Sequence, residues 1–375
     1  MIQSIFTTAP MLVCLIITIQ LILEQRRLRG TSTSLIPMRW LTIWAISSTL
    51  LYMGHISYFH HSTEYLPLTD SIYAAMNLCV YPLFLIYISE LTDEHPISKS
   101  PIGLMLLLLP SLATGIICGA LYMAMSKQES SHFIEAYLYH NDYTNLSGLV
   151  KIQAIVHQIC RVIFAIQVFT VAYLGIKKLR KYNHTISQLY ADTEDKEAQG
   201  LNTILILLVI TSVFSAIANI LGRYTFNGNS TLLCIPSIAF SILLFSIGWI
   251  GGHQHFTISN VIEHHPEEEA DTQEYENTIC QELDRLMQDK KIFLESDLRL
   301  EQVSRELRTN RTYLLRALNE GKGMTFKEYI NNLRIEYAER LMEENPSLTK
   351  TEVATMSGYN SLSSFYRNYN TYKKG

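Results

Sequence analysis

The feature that most constrains this chain is a succession of long apolar segments that extends to about Gly252. A helix needs roughly 20 apolar residues to cross the hydrocarbon core of a bilayer, and seven segments reach that length. We place them at Ile5–Leu23, Trp40–Phe59, Ile72–Leu91, Ile102–Met125, Val150–Ile176, Leu201–Leu221 and Leu232–Ile250. The sequence therefore predicts a bundle of seven transmembrane helices over residues 1–252.

Lysine and arginine are distributed unevenly among the loops that join these segments. They follow the first, third and fifth segments, at Arg26, Arg27, Arg29, Lys99, Lys177, Lys178, Arg180, Lys181 and Lys196. The alternate loops offer little beyond Lys127 and Arg223. Because cytoplasmic loops carry the excess of basic residues, the amino terminus is predicted to lie outside and the carboxyl terminus in the cytoplasm.

Residues 253–275 are polar and acidic, and they contain the stretch "EHHPEEEADTQEYE". An acidic run interrupted by Pro266 is typical of a solvated linker. We interpret the histidines of this region as polar residues at a membrane surface rather than as metal ligands: His253, His255, His264 and His265. No metal or other cofactor is expected anywhere in the chain.

The remaining residues, from Glu276, show helical periodicity. In "LRLEQVSRELRTNRTYLLRALNEGKGMTF", Leu300, Val303 and Leu307 form one apolar stripe, and Leu314 begins another. Asn310 lies between the stripes and suits an N-cap, where its side chain would accept a hydrogen bond from an otherwise unpaired amide. Two short helices joined in this way make a helix-turn-helix.

A longer amphipathic helix is predicted next, from about Phe326 to Asn345-Pro346. The helix-turn-helix pattern then repeats in "LTKTEVATMSGYNSLSSFYRNYNTY". Gly358 suits the position just after a helix, where a left-handed backbone is favourable for glycine. A second helix is predicted from about Ser361.

This last quarter of the chain resembles the DNA-binding domain of the AraC family of bacterial transcription regulators. The matching positions are Leu314, Arg316, Gly323, Phe326, Tyr329, Arg334, Ala338, Leu341, Val353, Ala354, Gly358, Tyr359, Ser363, Phe365, Arg367 and Tyr369. The resemblance implies an AraC-type domain over residues 276–375, with two helix-turn-helix units and double-stranded DNA as its partner. Its two recognition helices would enter successive major grooves, which recur about every 34 Å.

The candidate DNA contacts follow from the resemblance, because they are the exposed or N-terminal residues of the two recognition helices. In the first helix-turn-helix they are Asn310, Arg311, Thr312, Tyr313, Leu315, Arg316 and Asn319. In the second they are Ser361, Leu362, Ser363, Ser364, Tyr366 and Arg367. Arginine can hold guanine through two hydrogen bonds, whereas serine and threonine hydroxyls more often contact phosphates.

The net charge of this domain leaves a second interpretation open. Residues 276–375 contain 16 Lys and Arg against 15 Asp and Glu. A nearly neutral domain binds DNA weakly in a non-specific way, since that binding depends on neutralising phosphates. Four arginines around the first turn give a local basic patch: Arg305, Arg308, Arg311 and Arg316. The alternative is a helical bundle that docks a protein partner through the same faces.

The fifth apolar segment carries His157 and Arg161 one helical turn apart on the same face. An arginine within a membrane helix usually faces a cavity or a partner. One hypothesis is a pocket for a small anionic signal ligand, to which His55, Asn77 and Tyr81 would add polar contacts. The other, which we favour, is a structural arginine that bonds to neighbouring helices.

The sequence as a whole predicts an all-α, multi-pass protein of the bacterial inner membrane. Its seven-span domain would sense an unknown signal ligand or membrane partner, and its cytoplasmic AraC-type domain would bind DNA. A homodimer is compatible with this organisation but not required. The alternative is a transporter-like protein whose C-terminal domain docks a protein partner. No nucleophile, phosphate loop or metal motif that would indicate an enzyme can be assembled.

Overall fold

The structure is a computed structural model of the 375-residue chain. It describes residues 2–29, 35–60, 64–193, 196, 198, 200, 201, 203–206, 208–210, 212, 213, 230–254, 257 and 273–373. These residues form two compact units. The N-terminal unit comprises Met1–Arg180 and Ala198–Val261, and the C-terminal unit comprises Lys181–Glu197 and Ile262–Gly375. The described residues are mostly helical and include no strand, so the predicted all-α fold is confirmed.

Most of the named helices of the N-terminal unit are long. They are α1 (Ile2–Arg27), α2 (Ile36–Phe59), α3 (Leu66–Thr92), α4 (Pro101–Ala124), α5 (Lys127–His132), α6 (Gly148–Leu189) and α7 (Ser230–His253). A π-helical turn, Phe133–Tyr139, continues α5. Helix α6 has 42 residues, and its last part, from Lys181, is assigned to the C-terminal unit.

Five helices are long and apolar enough to cross a membrane: α1, α3, α4, α6 and α7. They coincide with the first, third, fourth, fifth and seventh predicted spans. Helix α2 has the necessary length, with 24 residues, but is not among the five. The sixth predicted span, Leu201–Leu221, lies largely outside the described residues. The five helices therefore support part of the predicted seven-span bundle.

Helix α3 lies at the centre of the N-terminal unit. It packs against α2 and α4, while α1 packs against α2 and α7. Small residues permit close approach, since a Cβ atom added at Gly115 of α4 would lie 2.7 Å from Ala75 Cβ of α3. The Ser111 hydroxyl donates a hydrogen bond to the Ala75 carbonyl over 2.6 Å. Close packing and internal hydrogen bonds both contribute to the burial of α3. Of its apolar stretch, 67% is buried, the largest share among the five helices.

The C-terminal unit contains six helices among its described residues. They are α8 (Gln273–Lys290), α9 (Leu300–Glu306), α10 (Arg311–Arg316), α11 (Phe326–Glu344), α12 (Lys350–Met356) and α13 (Leu362–Tyr372). A π-helical turn, Ala317–Gly321, continues α10. Helices α9 and α10 form the first helix-turn-helix, and α12 and α13 form the second. The predicted order of two helix-turn-helix units on one linking helix, α11, is thus confirmed.

Two of the predicted local features are also confirmed. Asn310 caps α10, because its side chain accepts a hydrogen bond from the Tyr313 amide over 2.9 Å. Gly358 adopts the left-handed conformation, with φ of +83°. A Cβ atom at this glycine would lie only 2.7 Å from the Leu294 carbonyl oxygen. Glycine is therefore required at residue 358 by both the backbone angle and the adjacent chain.

We predict that Gly358→Ala destabilises the C-terminal unit more than Gly323→Ala does. Both glycines have positive φ, but a Cβ atom at Gly323 would meet nothing within 4 Å. Gly323→Ala should cost about 1–2 kcal/mol for the left-handed backbone alone, and Gly358→Ala should cost more because of its steric clash. Hydrogen exchange of residues 350–372 in the full chain measures the difference. Equal exchange in the two variants would contradict the proposed clash.

Candidate DNA-binding surface and a buried polar cluster

The first recognition helix, α10, is fixed by its apolar face. Leu314, Ala317 and Leu318 of this helix and its π-helical continuation are fully buried. On α8, the Cys280 thiol lies 3.2 Å from the Ala317 carbonyl. This packing leaves the remaining faces of α10 available to a partner.

The candidate contacts on α10 occupy those remaining faces. Thr312 and Asn319 are exposed, and five others are half-buried: Asn310, Arg311, Tyr313, Leu315 and Arg316. Burial lowers the pKa of Arg311, but an arginine remains protonated at physiological pH. Arg316 Nε lies 3.9 Å from the Glu320 carboxylate. Helix α10 thus presents two guanidinium groups at a surface that is otherwise polar.

The second recognition helix, α13, begins after Ser361, whose hydroxyl accepts a hydrogen bond from the Ser364 amide over 3.0 Å. Ser363, Tyr366 and Arg367 are exposed, whereas Ser361 and Leu362 are half-buried. Ser364 is buried, at 7% exposure, beside the core residue Phe365. The exposed candidates on α13 therefore include one cation, one hydroxyl and one aromatic ring.

A buried arginine on the linking helix connects the two helix-turn-helix units. Arg334 of α11 is 1% exposed. Its guanidinium donates hydrogen bonds to the Phe293 carbonyl over 2.7 Å and to the Glu295 carbonyl over 2.6 Å, both just before the first unit. It also lies 5.4 Å from the centre of the Tyr359 ring, in the turn of the second unit. Burial lowers the pKa of Arg334. Through its contacts with both segments, this one side chain positions both helix-turn-helix units.

A second polar contact joins α8 to the linking helix α11. The Asp284 carboxylate of α8 accepts a hydrogen bond from the Tyr329 hydroxyl over 2.7 Å. It also pairs with Lys322 over 2.7 Å. Burial, with the Asp284 hydrogen bond as the next cause, raises the pKa of Tyr329. The Tyr329 hydroxyl therefore remains protonated and continues to donate.

Comparison with known proteins agrees with this architecture. A family model described as a helix-turn-helix domain, of the AraC type, matches residues 303–374. No curated protein and no solved structure matches the chain. The match covers both helix-turn-helix units and supports the resemblance inferred from the sequence. It supports a DNA-binding helix-turn-helix domain of a transcription regulator over these residues.

The N-terminal unit contains a separate cluster of buried polar side chains. His157 Nε2 of α6 lies 2.9 Å from Asp70 Oδ2 of α3, and the two side chains are 12% and 5% exposed. The Tyr122 hydroxyl of α4 donates to the same carboxylate oxygen over 2.9 Å. Three helices of the unit therefore meet at one carboxylate.

Both ring nitrogens of His157 have partners. His157 Nδ1 lies 2.9 Å from the Gln153 carbonyl of the same helix, which can only accept, so Nδ1 carries hydrogen. Nε2 faces the Asp70 carboxylate. The imidazole therefore links the backbone of α6 to the carboxylate of α3.

The proposed ligand residues are distributed over several contacts. Arg161 is exposed; its guanidinium lies 3.4 Å from the Tyr143 hydroxyl and 5.8 Å from the centre of the Tyr137 ring. His157 also reaches Tyr137, at 5.9 Å between ring centres. The other candidates lie apart: His55 stacks on Tyr52, the Tyr81 hydroxyl bonds to Ser212, and Asn77 is half-buried.

Asp70 is the member of this cluster that the sequence analysis missed. The third apolar segment was placed at Ile72–Leu91, which left Asp70 outside it. Helix α3 begins earlier, at Leu66, with Pro67 in its first turn. Proline is favoured at the start of a helix, so the "LPLTD" stretch carried a signal that would have placed Asp70 within the helix.

We predict that Arg334→Met destabilises the C-terminal unit by about 2–5 kcal/mol. The change removes the donor of the buried Phe293 carbonyl and of the partly buried Glu295 carbonyl, and an unsatisfied buried acceptor costs about 1–3 kcal/mol. Arg340→Met on the same helix is the matched control, because Arg340 is exposed. Hydrogen exchange of α11 in the full chain reports both variants. Similar exchange in the two would refute the role assigned to Arg334.

We predict strong coupling between Asp70 and His157. Removing one partner of a buried pair costs about 3–5 kcal/mol, because the other is left without compensation. Asp70→Ala and His157→Ala should each lower the unfolding temperature in detergent, and the double variant should lower it by much less than their sum. Arg161→Ala, at an exposed position, should change it little. Additive effects of the two alanine changes would show that the residues do not interact.

Proposed function

We propose that this chain is a membrane-embedded one-component transcription regulator. Its C-terminal unit binds specific DNA sequences, and a signal received by the N-terminal unit controls that binding. The observation that carries the proposal is the combination of two helix-turn-helix units on one linking helix with several membrane-length helices in the same chain. No catalytic step is needed for such a protein.

The outer surface of the N-terminal unit supports a place in the bilayer. Large apolar side chains on α4 point outward, among them Ile102 at 73% and Ile116 at 71% exposure. A soluble protein rarely exposes continuous apolar surface of this extent. The basic residues in the last turn of α1 and in the C-terminal part of α6 favour a cytoplasmic position for the ends of these helices. The C-terminal unit would then reach DNA from the inner face of a bacterial inner membrane.

The DNA contacts are proposed to come from the first turns and outward faces of α10 and α13. Arg311, Arg316 and Arg367 are the candidate readers of guanine, since each guanidinium offers paired donors. Thr312 and Ser363 are exposed hydroxyls suited to phosphate. The rigid helix α11 sets the separation of the two units, so the expected operator has two contact regions about one helical turn apart.

The near neutrality of residues 276–375 favours one alternative, a transporter-like membrane protein whose helical domain docks a protein partner. The two proposals differ in what the recognition helices bind. A regulator requires sequence-specific DNA binding through α10 and α13, whereas the alternative requires substrate transport in vesicles and no operator.

Selection from a random DNA pool tests the proposal with the full chain in lipid nanodiscs at physiological salt. We expect enrichment of a motif with two contact regions one helical turn apart. Arg311→Ala/Arg367→Ala should weaken binding to that motif by at least about tenfold. Arg340→Ala, which removes an exposed arginine from the linking helix, should leave the motif unchanged. Failure to enrich any motif with folded protein would favour the protein-docking alternative.

A further inference from the structure

The residues between the fifth and sixth predicted spans belong to the C-terminal unit, although they lie far from it in sequence. We call residues 181–197 the strap. The strap begins as the last turns of α6 and then runs extended, with an antiparallel bridge between Tyr190 and Arg299. The Ala191 amide donates to the Leu298 carbonyl over 3.2 Å. Tyr190 and Ala191 are 5% and 2% exposed, so this part of the strap is buried.

The strap contacts the first helix-turn-helix at a residue that faces DNA in the proposed function. Gln188 Nε2 donates to Asn319 Oδ1 over 3.0 Å, and Asn319 is a candidate DNA contact. Just before the first helix of this unit, the Tyr190 ring lies 5.6 Å from the Arg299 guanidinium. The strap therefore engages one of the proposed DNA-binding side chains and packs beside the helix that precedes it.

The strap also reaches the second helix-turn-helix. Asn360 directly precedes the N-cap of α13, and its Nδ2 donates to Asp192 Oδ2 over 2.7 Å. On the linking helix, Asn331 Nδ2 donates to the Ala191 carbonyl over 3.2 Å. The strap thus bonds to both helix-turn-helix units and to the helix between them.

The end of the strap is acidic in sequence, and its Asp192 opposes DNA at the same surface. Its final residues, "ADTEDKE", include four acidic side chains and one lysine. Asp192 places a carboxylate beside the start of α13, and helix starts of this kind commonly hold DNA phosphates. A phosphate and a carboxylate repel each other, and both require the same donors. Bound DNA and the docked strap therefore compete.

We infer that the strap is an autoinhibitory segment that occupies part of the DNA-binding surface until it is displaced, an inference that rests on the proposed function. The strap continues directly from α6, the helix that carries His157 and Arg161. A signal that shifts α6 would change the docking of the strap and hence the affinity for DNA. A ligand or signal shifts such an equilibrium only through its different affinity for the two states.

The affinity of the full chain for its operator tests the inference. The variant Gln188→Ala/Asp192→Ala removes two contacts of the strap and should bind the operator about tenfold more tightly than the wild type. Ser187→Ala/Asp289→Ala is the matched control. Like the strap variant, it removes one negative charge, here that of the exposed Asp289 of α8. The Ser187 hydroxyl donates to the His184 carbonyl within its own helix. Equal or weaker binding by a folded strap variant would overturn the inference.

A measurement on the wild type avoids any effect of substitution on folding. Addition of operator DNA should accelerate hydrogen exchange of residues 186–193, including the Ala191 amide, because DNA displaces the strap. Unchanged or slower exchange with DNA bound would show that the strap is part of the complex and would refute autoinhibition. DNA selection with the strap variant separates this failure from that of the proposed function. If neither protein enriches a motif, the proposed function itself fails.

Discussion

The architecture of the C-terminal unit depends on the buried guanidinium of Arg334. It holds the carbonyl groups of Phe293 and Glu295, and it lies against the ring of Tyr359. A cation removed from water in this way is stable only when its donors are used. Backbone carbonyls supply most of that compensation, so the loop before the first helix-turn-helix and the turn of the second must both keep their positions. The proposed recognition of two successive grooves depends on this fixed geometry.

Local patterns predicted the features of this unit that are themselves local. Asn310 was recognisable as a cap and Gly358 as a left-handed residue, because both roles are decided by a few neighbouring residues. The fold class followed from periodicity in the same way. Other features involve partners distant in sequence, such as the Asp70–His157 pair, 87 residues apart, and the Asn331–Ala191 bond, 140 residues apart. Neither partner carries a local sign of the other.

The division of the chain at Gly252 was also a consequence of local reasoning. Apolar content distinguishes membrane segments from aqueous segments. It does not show which of the two units a polar loop packs with. The strap lies between two apolar segments and was therefore counted with the membrane domain. Its residues Tyr190, Ala191 and Thr193 are buried, which indicates packing rather than simple solvation. Pairing of the Ala191 amide with the Leu298 carbonyl is the tertiary information that composition lacks.

The strap is held by weak contacts, and the surface that it covers attracts DNA phosphates only weakly. Its side-chain contacts include one neutral hydrogen bond at Asn319, one carboxylate contact at Asn360 and an ion pair of Lys196 with Asp297. Each such bond contributes only about 0.5–3 kcal/mol. A strongly basic domain would displace so weak a competitor through phosphate contacts alone. A domain with 16 basic and 15 acidic residues lacks that reserve. Small changes in docking of the strap are then large enough, relative to the DNA contacts, to set whether the operator is bound.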